Sequence, residues 1–137
     1  MIVSYADFLS LLDYIDAEAL QMTFDPSIVT YRQLIEFFYR MHDATTPNRQ
    51  GPDVGTQYRS AIFTHGEEQQ KIAEDVTKKV SEQWFKKPVS TDVVPAGQWW
   101  NAEDYHQLYL NKNPAGYECP AQYVICIHFL CYVPLIC

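Results

Sequence analysis

Four cysteines, four histidines and a scatter of carboxylates are the residues of this 137-residue sequence with the chemistry for catalysis or metal binding. All four cysteines, Cys119, Cys126, Cys131 and Cys137, fall in the last fifth of the chain. None forms a CxxC pair, and no Cys/His spacing closes a tetrahedral zinc site. Cys119 stands in Gly116-Tyr117-Glu118-Cys119-Pro120, a Gly/Pro-rich setting that suits an exposed, exchanging thiol. Glu103 and Asp104 with His106 have the groups for acid–base work, but residues so close at a helix start read better as cap and solvated face. His42, His65 and His128 share no ligand spacing and read as structural. Asp53 and Tyr58, taken alone, read as a turn-forming Asp and a core Tyr. No Gly-rich phosphate loop, HExxH, GxSxG or kinase signature is present.

The chain has the length of one domain and needs no disulfide or metal staple to build a core. Hydrophobic residues at 47% and aromatics at 15% exclude a disordered chain. The net charge is −7, and residues 1–31 hold Asp7, Asp13, Asp16, Glu18 and Asp25 with no Lys or Arg. An acidic chain without a basic stripe is not expected to bind nucleic acid or anionic membrane. The first residues lack a basic stretch and a cleavage pattern, so reduced thiols and a cytoplasmic location are expected.

The hydrophobic pattern alternates between helical and strand periods. Residues 4–15 read as an amphipathic helix with Ser4 and Asp7 as its cap. Leu20, Met22 and Phe24 read as one face of a half-buried strand ended by Asp25-Pro26. Thr30 and Gln33 form a capping box before a helix with Leu34, Ile35, Phe38 and Met41 inward. Residues 43–57 are a long loop of turn formers, a feature that is often functional. Arg59–Phe63 reads as a buried strand, then Thr64 and Glu67 cap a helix over about residues 66–86 with Ile72, Val76, Val80 and Trp84 as its stripe. Val89–Val94 is a third strand, and Asn101 caps a last helix through Leu110. This order favours a two-layer α/β sheet with right-handed crossovers. Three short strands make a thin sheet for helices of this length.

The loop itself is more specific. Asp43-Ala44-Thr45-Thr46-Pro47-Asn48-Arg49-Gln50-Gly51-Pro52-Asp53-Val54-Gly55-Thr56-Gln57-Tyr58-Arg59-Ser60 resembles a stretch found in the peptide methionine sulfoxide reductase A family. The likeness extends upstream through Asp16-Ala17-Glu18 and Thr23-Phe24-Asp25-Pro26. Downstream it takes in Ala102-Glu103-Asp104-Tyr105-His106-Gln107, Lys112-Asn113-Pro114 and the Cys119 segment, which looks like the fungal form of the family's C-terminal cysteine motif. Residues 16–122 are covered; 1–15 are a helix-like stretch without family likeness, and 123–137 an apolar, Cys-containing tail. The resemblance implies an α/β two-layer sandwich of the ferredoxin-like, α/β-plait type, incomplete at its N-terminus.

The chemistry it implies is thiol-dependent reduction of the S-epimer of methionine sulfoxide, a protein-repair reaction. A thiolate attacks the sulfoxide sulfur, the resulting sulfenic acid condenses with a resolving cysteine, and thioredoxin reduces the disulfide; no bound cofactor is needed. Asp53 and Tyr58 match residues lining the family's polar pocket, with Tyr58 donating to the sulfoxide oxygen and Asp53 orienting that network. Cys119 matches the resolving cysteine. The family's nucleophile, in a GCFWG motif on its first strand, has no counterpart in Met1–Ile15, so the chain as written is not expected to turn over. The alternatives are a non-catalytic module that binds oxidised methionine and a gene model of an active reductase with exchanged ends. The tail from Tyr123 to Cys137 is interrupted by His128 and Pro134 and falls short of the roughly 20 residues of a membrane span.

Overall fold

Helix α1 (Tyr31–Met41) starts where the sequence dictates. The computed structural model describes Ile2–Ser4 and residues 17–117. The Thr30 hydroxyl accepts from the Gln33 amide at 3.3 Å, and the Gln33 side-chain oxygen accepts from the Thr30 amide at 2.9 Å, closing the expected capping box. The inward face differs from expectation at one residue pair. Ile35 and Tyr39 are buried and Phe38 half-buried, whereas Met41 is exposed.

Helix α2 (Glu67–Gln83) buries Val76 and Val80 as the four-residue spacing predicts, with Ala73 beside them and Ile72 and Trp84 at the margin of the core. Its start is corrected. Gly66, at φ 90°, is the N-cap, in a conformation that glycine adopts without steric cost. Thr64 belongs instead to the preceding strand, and its hydroxyl donates to the Val94 carbonyl at 3.3 Å. Glu67 and Glu68 occupy the first turn, favourable to the helix dipole, while Lys86 and Lys87 lie beyond the last.

Helix α2 rests on a parallel strand pair. β5 (Ala61–Thr64) and β6 (Asp92–Pro95) align Ile62 with Val93 and Phe63 with Val94, a residue or more from the expected strand limits. β5, α2 and β6 thus form a β-α-β unit, and α1 packs beside α2. Ile35, Tyr39, Ala44, Ile62, Ala73, Val76 and Val80 make one core. The Thr77 hydroxyl donates to the Ala73 carbonyl, so the buried Tyr39 hydroxyl is the donor in its 2.6 Å bond to Thr77. No polar cost remains at the phenol.

The remaining elements are small. β1 (Ile2–Ser4) pairs antiparallel with β2 (Ala19–Gln21), so Ser4 lies in a strand rather than capping a helix; the rest of the expected 4–15 helix lies outside the described residues. β2 is shorter than the alternation suggested, and Leu20 and Met22 are exposed. The long loop is internally structured by a hairpin, β3 (Arg49–Gln50) with β4 (Asp53–Val54), followed by a 3-10 turn at Thr56–Tyr58. The expected helix from Asn101 to Leu110 does not form. Leu108 is left-handed at φ 53°, a conformation that costs a side-chain-bearing residue about 1–2 kcal/mol and cannot continue a helix; only α3 (Tyr109–Lys112) follows it. The Asn101 side chain accepts from Trp99 Nε1 at 3.1 Å instead of capping. The outcome is the expected mixed α/β class, with six short strands in three two-stranded sheets among the described residues.

Candidate active site

The loop that carries Asp53 and Tyr58 is shaped from its own side chains. Asp43 Oδ1 accepts from the Thr45 amide at 2.9 Å and the Thr45 hydroxyl at 2.7 Å. Partial burial works to raise the Asp43 carboxyl, but these bonds, with Lys87 and His42 nearby, hold it below the usual value. The Thr46 hydroxyl donates to the Arg49 carbonyl at 2.8 Å, and the Gly55 amide reaches back to the Asn48 carbonyl at 2.9 Å. Ser90 ties the loop to the approach of β6, donating from both its amide and its hydroxyl to the Ala44 carbonyl at 2.8 and 3.0 Å.

Within this frame Asp53 opens β4, opposite Gln50. Its side chain sits at an intermediate depth, and Oδ2 accepts a 3.1 Å hydrogen bond from the Tyr117 hydroxyl, 64 positions away. Just before Tyr117 the chain passes close to Tyr109: a Cβ on Gly116 would stand 2.7 Å from its ring. Tyr58 ends the 3-10 turn, half-buried, with its amide donating to the Gly55 carbonyl at 3.0 Å. No hydrogen bond joins the Asp53 and Tyr58 side chains among the described residues. Cys119, two positions beyond Tyr117, lies outside them.

The other candidates fall elsewhere. Glu103 and Asp104 are exposed, and the Glu103 carboxylate lies 4.0 Å from His106 Nε2 in a surface turn. His65 is exposed, and His42 is half-buried with partners on both ring nitrogens, in keeping with a structural reading. An open groove of about 360 Å³ between α2 and β6 is lined by Thr77, Ser81, Val89 and Val93 and holds neither Asp53 nor Tyr58. Tyr117 is the residue that sequence reasoning missed. It stood in the quoted cysteine segment, but nothing local to it points to a partner in the hairpin.

The structure brings the Tyr117 phenol to the Asp53 carboxylate and places Tyr58 five positions further along the same loop. The described residues include no trio of metal-ligating side chains. Comparison with known proteins decides what the loop belongs to, because the model of the peptide methionine sulfoxide reductase family matches residues 10–127.

The chain belongs to the peptide methionine sulfoxide reductase family.

A probable peptide methionine sulfoxide reductase of Schizosaccharomyces pombe is 53% identical over 109 residues, 79% of this chain and 64% of that protein. The peptide methionine sulfoxide reductase of Saccharomyces cerevisiae is 45% identical over 108 residues, 79% of this chain and 58% of that one. The crystal structure of Mxr1 from Saccharomyces cerevisiae in reduced form superposes with a TM-score of 0.74 at 44% identity, covering 80% of this chain and 60% of the other. Methionine sulfoxide reductase A of Corynebacterium diphtheriae gives a TM-score of 0.74 at 32% identity, covering 85% and 64%. The chain therefore spans about six-tenths of the length of the relatives it matches. No helix among the described residues is long and apolar enough to cross a membrane.

Proposed function

We propose that residues 17–117 furnish the polar side of a methionine sulfoxide pocket and that Cys119 is the thiol that recycles a partner sulfenic acid. The observation that carries this reading is the bond from Tyr117 to Asp53, which brings the chain two residues before Cys119 onto the loop that holds Tyr58. The substrate is methionine sulfoxide, free or in proteins. Its oxygen is a strong acceptor, which the Tyr58 phenol satisfies by donation while Asp53, held by Tyr117, orients the polar network.

In the reductase reaction a cysteine thiolate attacks the sulfoxide sulfur and the S–O bond breaks, giving a thioether and a sulfenic acid. The Cys119 thiol then displaces water from that sulfenic acid to form a disulfide, which an external dithiol of the thioredoxin kind reduces. The sequence has no cysteine before Cys119.

Titration of the full chain with the two epimers of N-acetylmethionine sulfoxide, followed by NMR, tests the pocket. Saturable shifts at Asp53 and Tyr58 with the S-epimer, weakened in Tyr58→Phe, are expected. Shifts indifferent to epimer and to that substitution would contradict the pocket. Epimer-selective turnover with dithiol, abolished by Cys119→Ser, would make Cys119 the attacking thiol instead.

A further inference from the structure

His42 and Ser60 stand at the two ends of the loop that carries Asp53 and Tyr58, 18 positions apart, and they are bonded to each other. His42 follows the last turn of α1, where the backbone turns extended. Its Nδ1 lies 2.8 Å from the Phe38 carbonyl, which only accepts, so Nδ1 bears the proton. Nε2 lies 2.7 Å from Ser60 Oγ, and in the neutral ring it accepts from that hydroxyl. Ser60 Oγ in turn accepts from the Thr91 hydroxyl at 2.8 Å. One directed chain therefore joins the end of α1, the foot of β5 and the approach to β6. Ser60 is 5% exposed, and the Phe38 ring lies 4.2 Å from the imidazole, so water does not replace these bonds readily.

We propose that the His42–Ser60 bond is the pin that closes this loop, making His42 a positioning residue that sets where Asp53 and Tyr58 stand. A core polar pair of purely structural worth would stabilise the whole fold evenly. A pin acts first on residues 43–59, which are otherwise seated by Ser90 at the Ala44 carbonyl, Glu18 at the Gln57 carbonyl and Tyr117 at Asp53. The functional meaning of the pin rests on the pocket reading above; the pin itself does not.

Amide hydrogen exchange on the full chain separates the two cases, using His42→Asn, His42→Gln and Ser60→Ala. The asparagine amide reaches the place of Nδ1 and keeps only the Phe38 link, whereas the glutamine amide reaches the place of Nε2 and accepts from Ser60. With His42→Asn and Ser60→Ala, the Glu18 and Ser90 amides, which bond the loop's Gln57 and Ala44 carbonyls, are expected to exchange about 10-fold faster, the scale of one lost hydrogen bond, with Val76 and Val80 in α2 unchanged. His42→Gln is expected to restore protection, and the wild-type ring to show an unprotonated, accepting Nε2 in its nitrogen shifts. Equal acceleration in the loop and α2, or none in either variant, would overturn the proposal; if His42→Asn fails to fold, Ser60→Ala decides by the same comparison. N-acetylmethionine sulfoxide titrated into the same samples should bind more weakly wherever the loop loosens. Selective loosening in a chain that binds no sulfoxide would uphold the pin and remove the pocket.

Discussion

The Tyr117 hydroxyl donates to Asp53 Oδ2 at 3.1 Å, joining the end of the described chain to the β3–β4 hairpin across 64 positions. A contact of that span closes a large loop around the β5-α2-β6 unit, which lies between its two ends in sequence. Its worth is best measured as a coupling. A double-mutant cycle of Asp53→Asn and Tyr117→Phe, read by thermal or urea unfolding, is expected to give about 0.5–1.5 kcal/mol, the net value of one partly solvated hydrogen bond. A coupling indistinguishable from zero would mean the two side chains act independently.

Gly116→Ala should reproduce the loss without touching either partner. A Cβ at 116 would meet the Tyr109 ring at 2.7 Å, so the ring or the 116–117 backbone must shift. The expected result is a change in the Asp53 and Tyr117 resonances with the α2 core unmoved. Resonances identical to wild type would show that the turn tolerates the methyl group.

How much of this was legible in the sequence depends on the range of the interaction. The Thr30–Gln33 box and the Val76–Val80 stripe were readable because partners three or four positions apart in a helix are fixed by its geometry. The Asn101 cap failed because an equally local rival, the Trp99 indole, takes its side-chain oxygen and Leu108 breaks the helical path. The Gly66 cap was missed because nothing in Thr64-His65-Gly66-Glu67 says which residue leaves the strand first. In the loop, a role for Asp53 and Tyr58 was suggested only by family likeness. The contact of Tyr117 with Asp53 was not legible at all, since no periodicity links positions 53 and 117.

Acid should loosen the fold through His42. Burial pushes its imidazole below the usual value, although the Phe38 carbonyl and Asp43 oppose the shift. The unfolded chain therefore takes up the proton first, and stability falls as pH drops below about 6.5 until the folded imidazole also titrates. His42→Gln should flatten that part of the pH profile, read as the urea midpoint. A second loss is expected as pH falls through 3.8, where the unfolded Asp43 carboxyl takes up its proton, and continues until the lowered folded carboxyl protonates as well. A wild-type midpoint that stays level from pH 7 down to 4 would contradict the neutral, buried imidazole.

Core and site should separate cleanly. Ile35 is 7% exposed and belongs to the core cluster with Tyr39, Ile62, Val76 and Val80. Ile35→Ala should cost about 2–5 kcal/mol by transfer and cavity terms. The folded fraction should bind sulfoxide as before, measured by titration at a temperature where the variant is native. A changed affinity in that fraction would show that α1 sets the pocket directly.

The claim that these residues are the polar part of a reductase pocket is open to test in a chimera. The family's GCFWG-bearing strand–helix–strand is joined ahead of residue 17, and reduction of each methionine sulfoxide epimer is followed with dithiol and with thioredoxin. The predicted result is reduction of the S-epimer with the R-epimer spared, a rate about 10- to 100-fold lower in Tyr58→Phe, and a single turnover with thioredoxin in Cys119→Ser. A folded chimera without epimer-selective activity would contradict the claim.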